Sequence, residues 1–512
     1  MIEQFFGTDF KKYLLAYALL LPVAAVAYFS NASWIFLIFL FLLTFVLSAK
    51  KMEWGMGIAL FELMSNAHGL ILFASLGSFV VSARMVIFAA VMLAWLYRLI
   101  NKKETLILKR IHSMFVLVLF AVVIGFVNGL LHQSPLAVFK DGNAYLYLGY
   151  LLPLSCLSLK SQKHQVLQML SAASIFIITT TLLLFYAYTH FSEDVLRTLY
   201  VFLRDIRLIE ITRYGNGFYR VFEQTQFFVI LFVFALLPFV FQKQTKKEFW
   251  ISFVCLSTSI SIILLSFSRS FWFGLIVTAP VFLIALFWKK WICVKQMLSG
   301  FGKLIFSGVS ALVLIMLLFL FPIPANHMSG WGISDLFSSR AMDSDDVAIS
   351  SRWNLLPVML DRIQLYPVTG SGFGKTVTFK TDDPRARAIY PDGTWTTYAM
   401  EWGWLELWLK MGILGPLSFA VLFISFLFVL FRTQETEQAW IHLWLIGATM
   451  FLLATHTFSP YVNHPIGLGT ILLIYAFLPT SPIIHVYTTV PEPKQTSPQP
   501  SMAGVMQQDQ SV

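Results

Sequence analysis

Charge is what this 512-residue chain has least of. Asp, Glu, Lys and Arg make up 12% of it, against about 25% in soluble domains. Only three cysteines occur, Cys156, Cys255 and Cys293, all in or beside apolar runs. Their placement excludes a disulfide framework and a cysteine-ligated metal centre. No repeat relates the two halves, although many transporters carry one. With 58% hydrophobic residues and a mean hydropathy of +0.74, an ordinary water-soluble enzyme is ruled out.

Long apolar runs are present instead. About 14 can be read, at residues 13–29, 33–49, 56–80, 84–99, 112–132, 144–160, 167–188, 224–241, 250–267, 271–288, 304–322, 407–431, 440–456 and 466–480. A backbone in lipid must satisfy its own hydrogen bonds, so each is expected to be a helix. The reading is an all-α polytopic membrane helix bundle of about 12–14 transmembrane helices with a large helical extracytoplasmic loop. The third run is interrupted by Glu62, Ser65, Asn66, His68 and Gly69, which points to a broken helix with a polar network between helices. The first follows Lys11–Lys12 and reads as a retained span rather than a cleaved leader.

The basic residues are sorted by type. Threading the runs with one end inside gathers Lys11, Lys12, Lys50, Lys51, Lys102, Lys103, Lys160, Lys163, Lys243, Lys246, Lys247, Lys289, Lys290, Lys295 and Lys303 on one face. Short lysine-rich loops mark the cytoplasmic side, so both termini are expected there. The net charge of +10 then reflects orientation and contact with anionic head groups, not nucleic acid. The opposite face carries Arg197, Arg204, Arg207, Arg213, Arg220, Arg269, Arg340, Arg352, Arg362, Arg385 and Arg387. Arginine grips phosphate bidentately, so this face is expected to handle an anionic, phosphorylated ligand.

Four parts follow: a transmembrane bundle over 1–323 with a long outer loop at about 190–223, an outer cap over 324–406, C-terminal transmembrane helices over 407–480, and a Pro-, Gln- and Ser-rich cytoplasmic tail over 481–512. Within the cap a helix is expected from about Ser350 to Leu365, kinked or restarted at Pro357.

Candidate chemistry lies on the arginine face. Arg269, in LLSFSRSFWFGL, is the only charge between Glu248 and Lys289 and sits at the outer turn of a helical hairpin. It suits a lipid-borne phosphate, or alternatively snorkels from a helix end. Arg220 and Arg352 come from the two outer loops. Singly each reads as a surface ion pair; with Arg269 they supply the several directions of charge a diphosphate clamp needs. PVTGSGFGKT lacks the first glycine of a P-loop, because Thr369 stands there. Gly372 and Gly374 make a tight turn, with amides available either to the fold or to a phosphate. Glu401 is a candidate general base where the loop re-enters the membrane, and Glu406 a second one; each also fits a helix-start acid. Asp343, Asp345 and Asp346, and Asp382 with Asp383, lack further metal ligands, and His456 and His464 read as interfacial structure. No metal and no cofactor is expected.

These segments, in this order, resemble the O-antigen ligase and O-antigen polymerase superfamily of bacterial membrane glycosyltransferases. The likeness is carried by Arg220 before a span, Ser268–Arg269 between two spans, SSRWNLLPVMLDRIQLYPVTGSGFG in the outer loop, and MGILG at the next span. It implies an inner-membrane enzyme that takes a glycan from an undecaprenyl diphosphate carrier on the outer face and passes it to a lipid, glycan or protein acceptor, without metal. It assigns Arg220, Arg269 and Arg352 to the carrier diphosphate. The ligases place a histidine about eleven residues before the first glycine of the closing motif; here that position is Glu401. A base opposite the leaving group would invert the anomeric centre. The competing expectation is a lipid-linked oligosaccharide flippase or a polysaccharide exporter.

Overall fold

Apolar runs with no solvent to hydrogen-bond them close their own helical ladders, and the computed structural model is built from them. It describes residues 1–77, 79–103, 113–157, 162–213, 217–322, 347–382, 384–433 and 439–478, so the expected tail over 481–512 lies outside the described residues. In order, the elements are α1 (Ile2–Phe6), α2 (Thr8–Phe29), α3 (Ser33–Lys50), α4 (Met52–Ser65), β1 (Phe73–Leu76), β2 (Phe79–Ser82), α5 (Ala83–Ile100), α6 (Ser113–His132), α7 (Pro135–Gly142), a 3-10 stretch (Asn143–Tyr150), α8 (Leu151–Ser155), α9 (Lys163–His190), α10 (Glu193–Asp205), β3 (Glu210–Arg213), β4 (Tyr219–Phe222), α11 (Gln226–Val240), α12 (Lys246–Leu265), α13 (Arg269–Trp288) and α14 (Val294–Leu320). The cap adds α15 (Val347–Leu365), β5 (Val377–Lys380), α16 (Pro384–Ile389) and β6 (Thr394–Thr397). The chain then closes with α17 (Gly403–Met411), α18 (Leu414–Arg432), α19 (Ala439–Thr455) and α20 (Pro465–Phe477).

The protein is an all-α polytopic membrane bundle. Among the described residues nine helices are long and apolar enough to cross a membrane, and α11, α19 and α20 are shorter apolar helices. The short helices are buried almost all round, whereas α3 and α14 expose apolar faces such as Ile35, Ile38, Phe39, Ile305 and Val309. A helix hydrophobic on every side belongs in the middle of a membrane bundle, and α13 lies along the buried α19. The strands form three two-stranded antiparallel hairpins, β1–β2, β3–β4 and β5–β6.

Two expected spans take another form. The third ends at Asn66, whose side-chain oxygen accepts the amides of His68 and Leu70 at 2.9 and 3.3 Å while its Nδ2 donates to the Ile206 carbonyl at 3.0 Å. Having found these partners, the backbone turns into β1 rather than continuing the helix. Inside the break, Arg84 holds Glu62 bidentately, both contacts 3.0 Å, and donates to the Ala67 carbonyl at 2.6 Å. The sixth expected span is the 3-10 stretch plus the short α8. In the cap, α15 starts at Val347, ahead of the expected Ser350, and carries Pro357 inside it.

Contacts mark the two ends. At the lysine end the Arg98 guanidinium donates to the Ala49 and Lys50 carbonyls at 2.9 and 2.8 Å, and Lys303 donates to the Val240 carbonyl at 2.7 Å. At the other end, hereafter the arginine end, His190 meets the Leu318 carbonyl at 2.8 Å and Asn128 donates to the Thr369 carbonyl at 2.7 Å.

Candidate active site

The turn between α12 and α13 sets the position of Arg269. Ser266 ends α12, and its hydroxyl accepts the Ser268 amide at 3.2 Å. Between them Phe267 adopts φ +47°, a left-handed conformation unfavourable for a branched or bulky residue. Complete burial against Phe218, ring centroids 5.6 Å apart, offsets that strain. Arg269 therefore opens α13, half-buried, with the Ser268 and Ser270 hydroxyls 3.0 Å apart on either side of it in sequence.

Arg220 reaches the same turn from β4. Its Nε donates to the Ser266 carbonyl at 2.8 Å, three residues before Arg269, and its guanidinium lies 4.7 Å from the Phe222 ring centre. The β3–β4 hairpin presents it there by pairing Arg220 with Thr212. Two of the three expected arginines thus meet at one turn.

Arg352 stands on α15 in the cap and binds a different partner. Its Nε donates to the Glu401 carboxylate, and its carbonyl accepts the Trp402 indole N–H at 3.0 Å. Both charged side chains keep solvent access, Arg352 at 25% and Glu401 at 49%. A row of aromatic rings joins this pair to the bundle. Trp353 meets Trp402 at 5.5 Å, Trp402 meets Phe458 at 5.5 Å, and Phe458 meets Phe273 at 5.0 Å. Phe273 lies one helical turn after Arg269 on α13. All three arginines therefore sit at the arginine end, two meeting at one turn and the third linked to it through edge-on and tilted ring contacts.

Gly372 and Gly374 have positive φ, +80° and +83°, but their amides are already engaged. The Gly372 amide donates to the Lys410 carbonyl at 3.1 Å and the Gly374 amide to Asp141 at 2.7 Å. A Cβ on Gly372 would lie 2.2 Å from the Gly129 nitrogen. The expectation that these amides meet a phosphate gives way to a docking role: the turn lets the cap backbone lie directly on α6 and α17.

Beneath that turn is a feature absent from the sequence reading. Lys410 is fully buried between Asp141 and Glu406, all three side chains 3–4% exposed. Glu406, expected as an alternative base, is a member of this triad. A second missed residue is Glu223, just after β4. It is 1% exposed; one oxygen accepts the Thr225 hydroxyl at 2.7 Å, and the other has no partner among the described residues. Burial pushes its carboxyl up to about 8, against the opposing pull of the Thr225 hydroxyl.

The remaining candidates are structural or lie outside the described residues. Asp382 pairs with Arg387, while Asp343, Asp345, Asp346 and Asp383 are not described. His456 accepts the Val462 amide at 3.2 Å, and His464 caps α20. No group of three metal-ligating side chains occurs among the described residues.

No curated protein and no solved structure matches the chain. A family model described as O-antigen ligase matches residues 251–420, from α12 through Arg269, Arg352 and the glycine turn into α18. Over that stretch the chain is similar to the O-antigen ligase family, which supports its resemblance to the O-antigen ligase and polymerase superfamily.

Proposed function

We propose that this protein transfers a glycan from an undecaprenyl diphosphate carrier to an acceptor hydroxyl at its arginine end, on the outer face of the bacterial inner membrane. The observation that carries the reading is the meeting of Arg220 and Arg269 at one turn, with Arg352 reached through the aromatic row. The lysine-rich opposite end supports the orientation.

In the proposed reaction the bond between the sugar's anomeric carbon and the diphosphate oxygen breaks, and its electron pair goes to the diphosphate. Arg220 and Arg269 neutralise the charge that develops there. The acceptor oxygen forms the new bond from the opposite face, inverting the anomeric carbon, and its proton passes to Glu401. The Arg352–Glu401 pair links the two halves of the reaction. Diphosphate competes with Glu401 for the guanidinium, so donor binding releases the carboxylate that must take the proton. None of these steps calls on a metal.

The test is transfer from a polyprenyl-diphosphate glycan by purified protein in detergent with excess chelator, using lipid, glycan and peptide acceptors in parallel. Arg269→Ala is expected to lower turnover by about 100- to 1,000-fold, as for other lost oxyanion-stabilising groups. Wild-type protein that is folded yet inactive with every acceptor, or an Arg269→Ala variant of normal activity, overturns the proposal.

A further inference from the structure

A sizeable cleft lies away from Arg220, Arg269 and Arg352. It encloses about 690 Å³ among α2, α4, α9, α20 and the 3-10 stretch, within the range of about 300–1,000 Å³ that holds a whole small ligand. Its floor is apolar, including Leu63, Tyr150, Met169 and Leu472. Its polar groups, Lys51, Glu53, Gln162 and Gln165, belong to the first residues of α4 and α9 and to the residues just before them. The mouth is therefore at the lysine end. From Lys51 to Leu63 the cleft follows α4 for about 18 Å at 1.5 Å per residue, slightly more than the roughly 15 Å hydrocarbon depth of one leaflet.

We infer that this cleft holds one anionic glycerophospholipid of the leaflet at the lysine end, its head group at Lys51 and one acyl chain along α4. Length and apolar lining match a single chain entering from that leaflet. The charge around the mouth favours an anion. Lys51 lines it, with Lys50 and Lys163 beside lining residues in sequence, against Glu53, the one carboxylate among the lining residues, and the Lys51 ammonium lies 5.6 Å from the Trp54 ring centre. Both α4 and α9 begin there, adding the positive ends of two helix dipoles. A carrier bound by its diphosphate at Arg220 and Arg269 would have its head group at the other end of the bundle, so the occupant is a different lipid from the substrate.

Gly57 supplies the means of testing this. It lines the cleft in mid-α4, and a Cβ placed on it meets nothing within 4 Å. Gly57→Leu would fill the space without displacing the fold, in a helix that leucine suits better than glycine. The experiment extracts protein in mild detergent and quantifies phospholipid per protein by mass spectrometry. It then repeats the measurement after exchange into nanodiscs of phosphatidylglycerol or phosphatidylcholine.

Wild type is expected to retain about one phosphatidylglycerol. Gly57→Leu should lower retention by about tenfold, the loss from displacing roughly two methylenes, with an unchanged melting profile. Lys51→Glu, at an exposed position, should shift retention towards phosphatidylcholine. Equal retention by wild type and Gly57→Leu overturns the inference. So does retention of a polyprenyl phosphate instead of a glycerophospholipid, or of no lipid at all.

Discussion

Replacing Lys410 with methionine tests the docking of cap on bundle most directly. Lys410 is one ammonium shared by two carboxyl groups, so by formal count the triad has one acid more than it has base in a site only 3–4% exposed. Methionine nearly conserves volume but leaves Asp141 and Glu406 buried without a cation. Breaking a buried ion pair from one side costs about 3–5 kcal/mol, and the facing carboxylates put this case at the upper end. Asp141 also accepts the Gly374 amide at 2.7 Å, so the glycine turn should loosen with it. Glu406→Gln makes the opposite change: it leaves a neutral Asp141–Lys410 pair and removes the excess acid. Its expected effect is within about 1 kcal/mol of wild type. The assay is thermal unfolding of both variants in one detergent, with limited proteolysis after Arg387 reporting on the cap. The reasoning fails if Lys410→Met melts like wild type, or if Glu406→Gln is the more damaging change.

Three further outcomes follow from the site. Glu401→Gln should split the kinetic constants: donor KM falls by up to about fivefold, because a part-exposed pair worth under about 1 kcal/mol no longer competes for Arg352, while turnover drops by about 100-fold or more from loss of the base. A parallel fall in both constants' efficiencies, with KM unchanged, contradicts the competition. Glu223 has a folded-state pKa of about 8 against 4.5 unfolded, so the folded protein holds an extra proton between those values. Its stabilising contribution is full below about pH 4.5 and lost as pH rises through about 8. Melting measured at pH 5 and pH 9 should therefore fall more for wild type than for Glu223→Gln, and parallel curves would refute the assignment. Gly372→Ala combines a left-handed penalty of about 1–2 kcal/mol with a backbone clash at Gly129. It should destabilise by more than about 2 kcal/mol, whereas Gly57→Ala, with open space around it, should be neutral or slightly stabilising; equal effects would contradict the docking role.

The sequence made the bundle legible because hydrophobic length is a local property. Most runs announce their helix, and the arginine and lysine positions sort the ends. It was less informative where a residue's partner is distant. Glu62 and His68 signalled a broken span, but Arg84, the partner of Glu62, opens a helix 22 residues later. The Glu406–Lys410 spacing of four residues is a readable helical pair; Asp141, their third member, lies 269 residues from Lys410. The glycine turn was read correctly as a turn, yet only tertiary contact decides that its amides serve protein acceptors. Glu223 had no signal at all, since a single glutamate beside an apolar run looks like a helix-start acid until its burial is known.

These contacts divide the arginine end into a fixed part and an adjustable one. Arg220 and Arg269 are set by backbone: a strand pairing, a carbonyl acceptor and a buried left-handed turn. The cap is set by the triad and by glycine amides pressed on α6 and α17. The Arg352–Glu401 pair, by contrast, combines opposite charges with partial solvent access. A diphosphate entering between cap and bundle would therefore find two guanidinium groups already positioned and a third that must exchange its carboxylate for phosphate oxygens. Were the pair buried like Lys410 and its partners, that exchange would cost several kcal/mol; held at 25% and 49% exposure, it is a low-cost step. On the proposed reading, the difference in burial between the two ion-pair systems would let one hold the cap in place and the other respond to substrate.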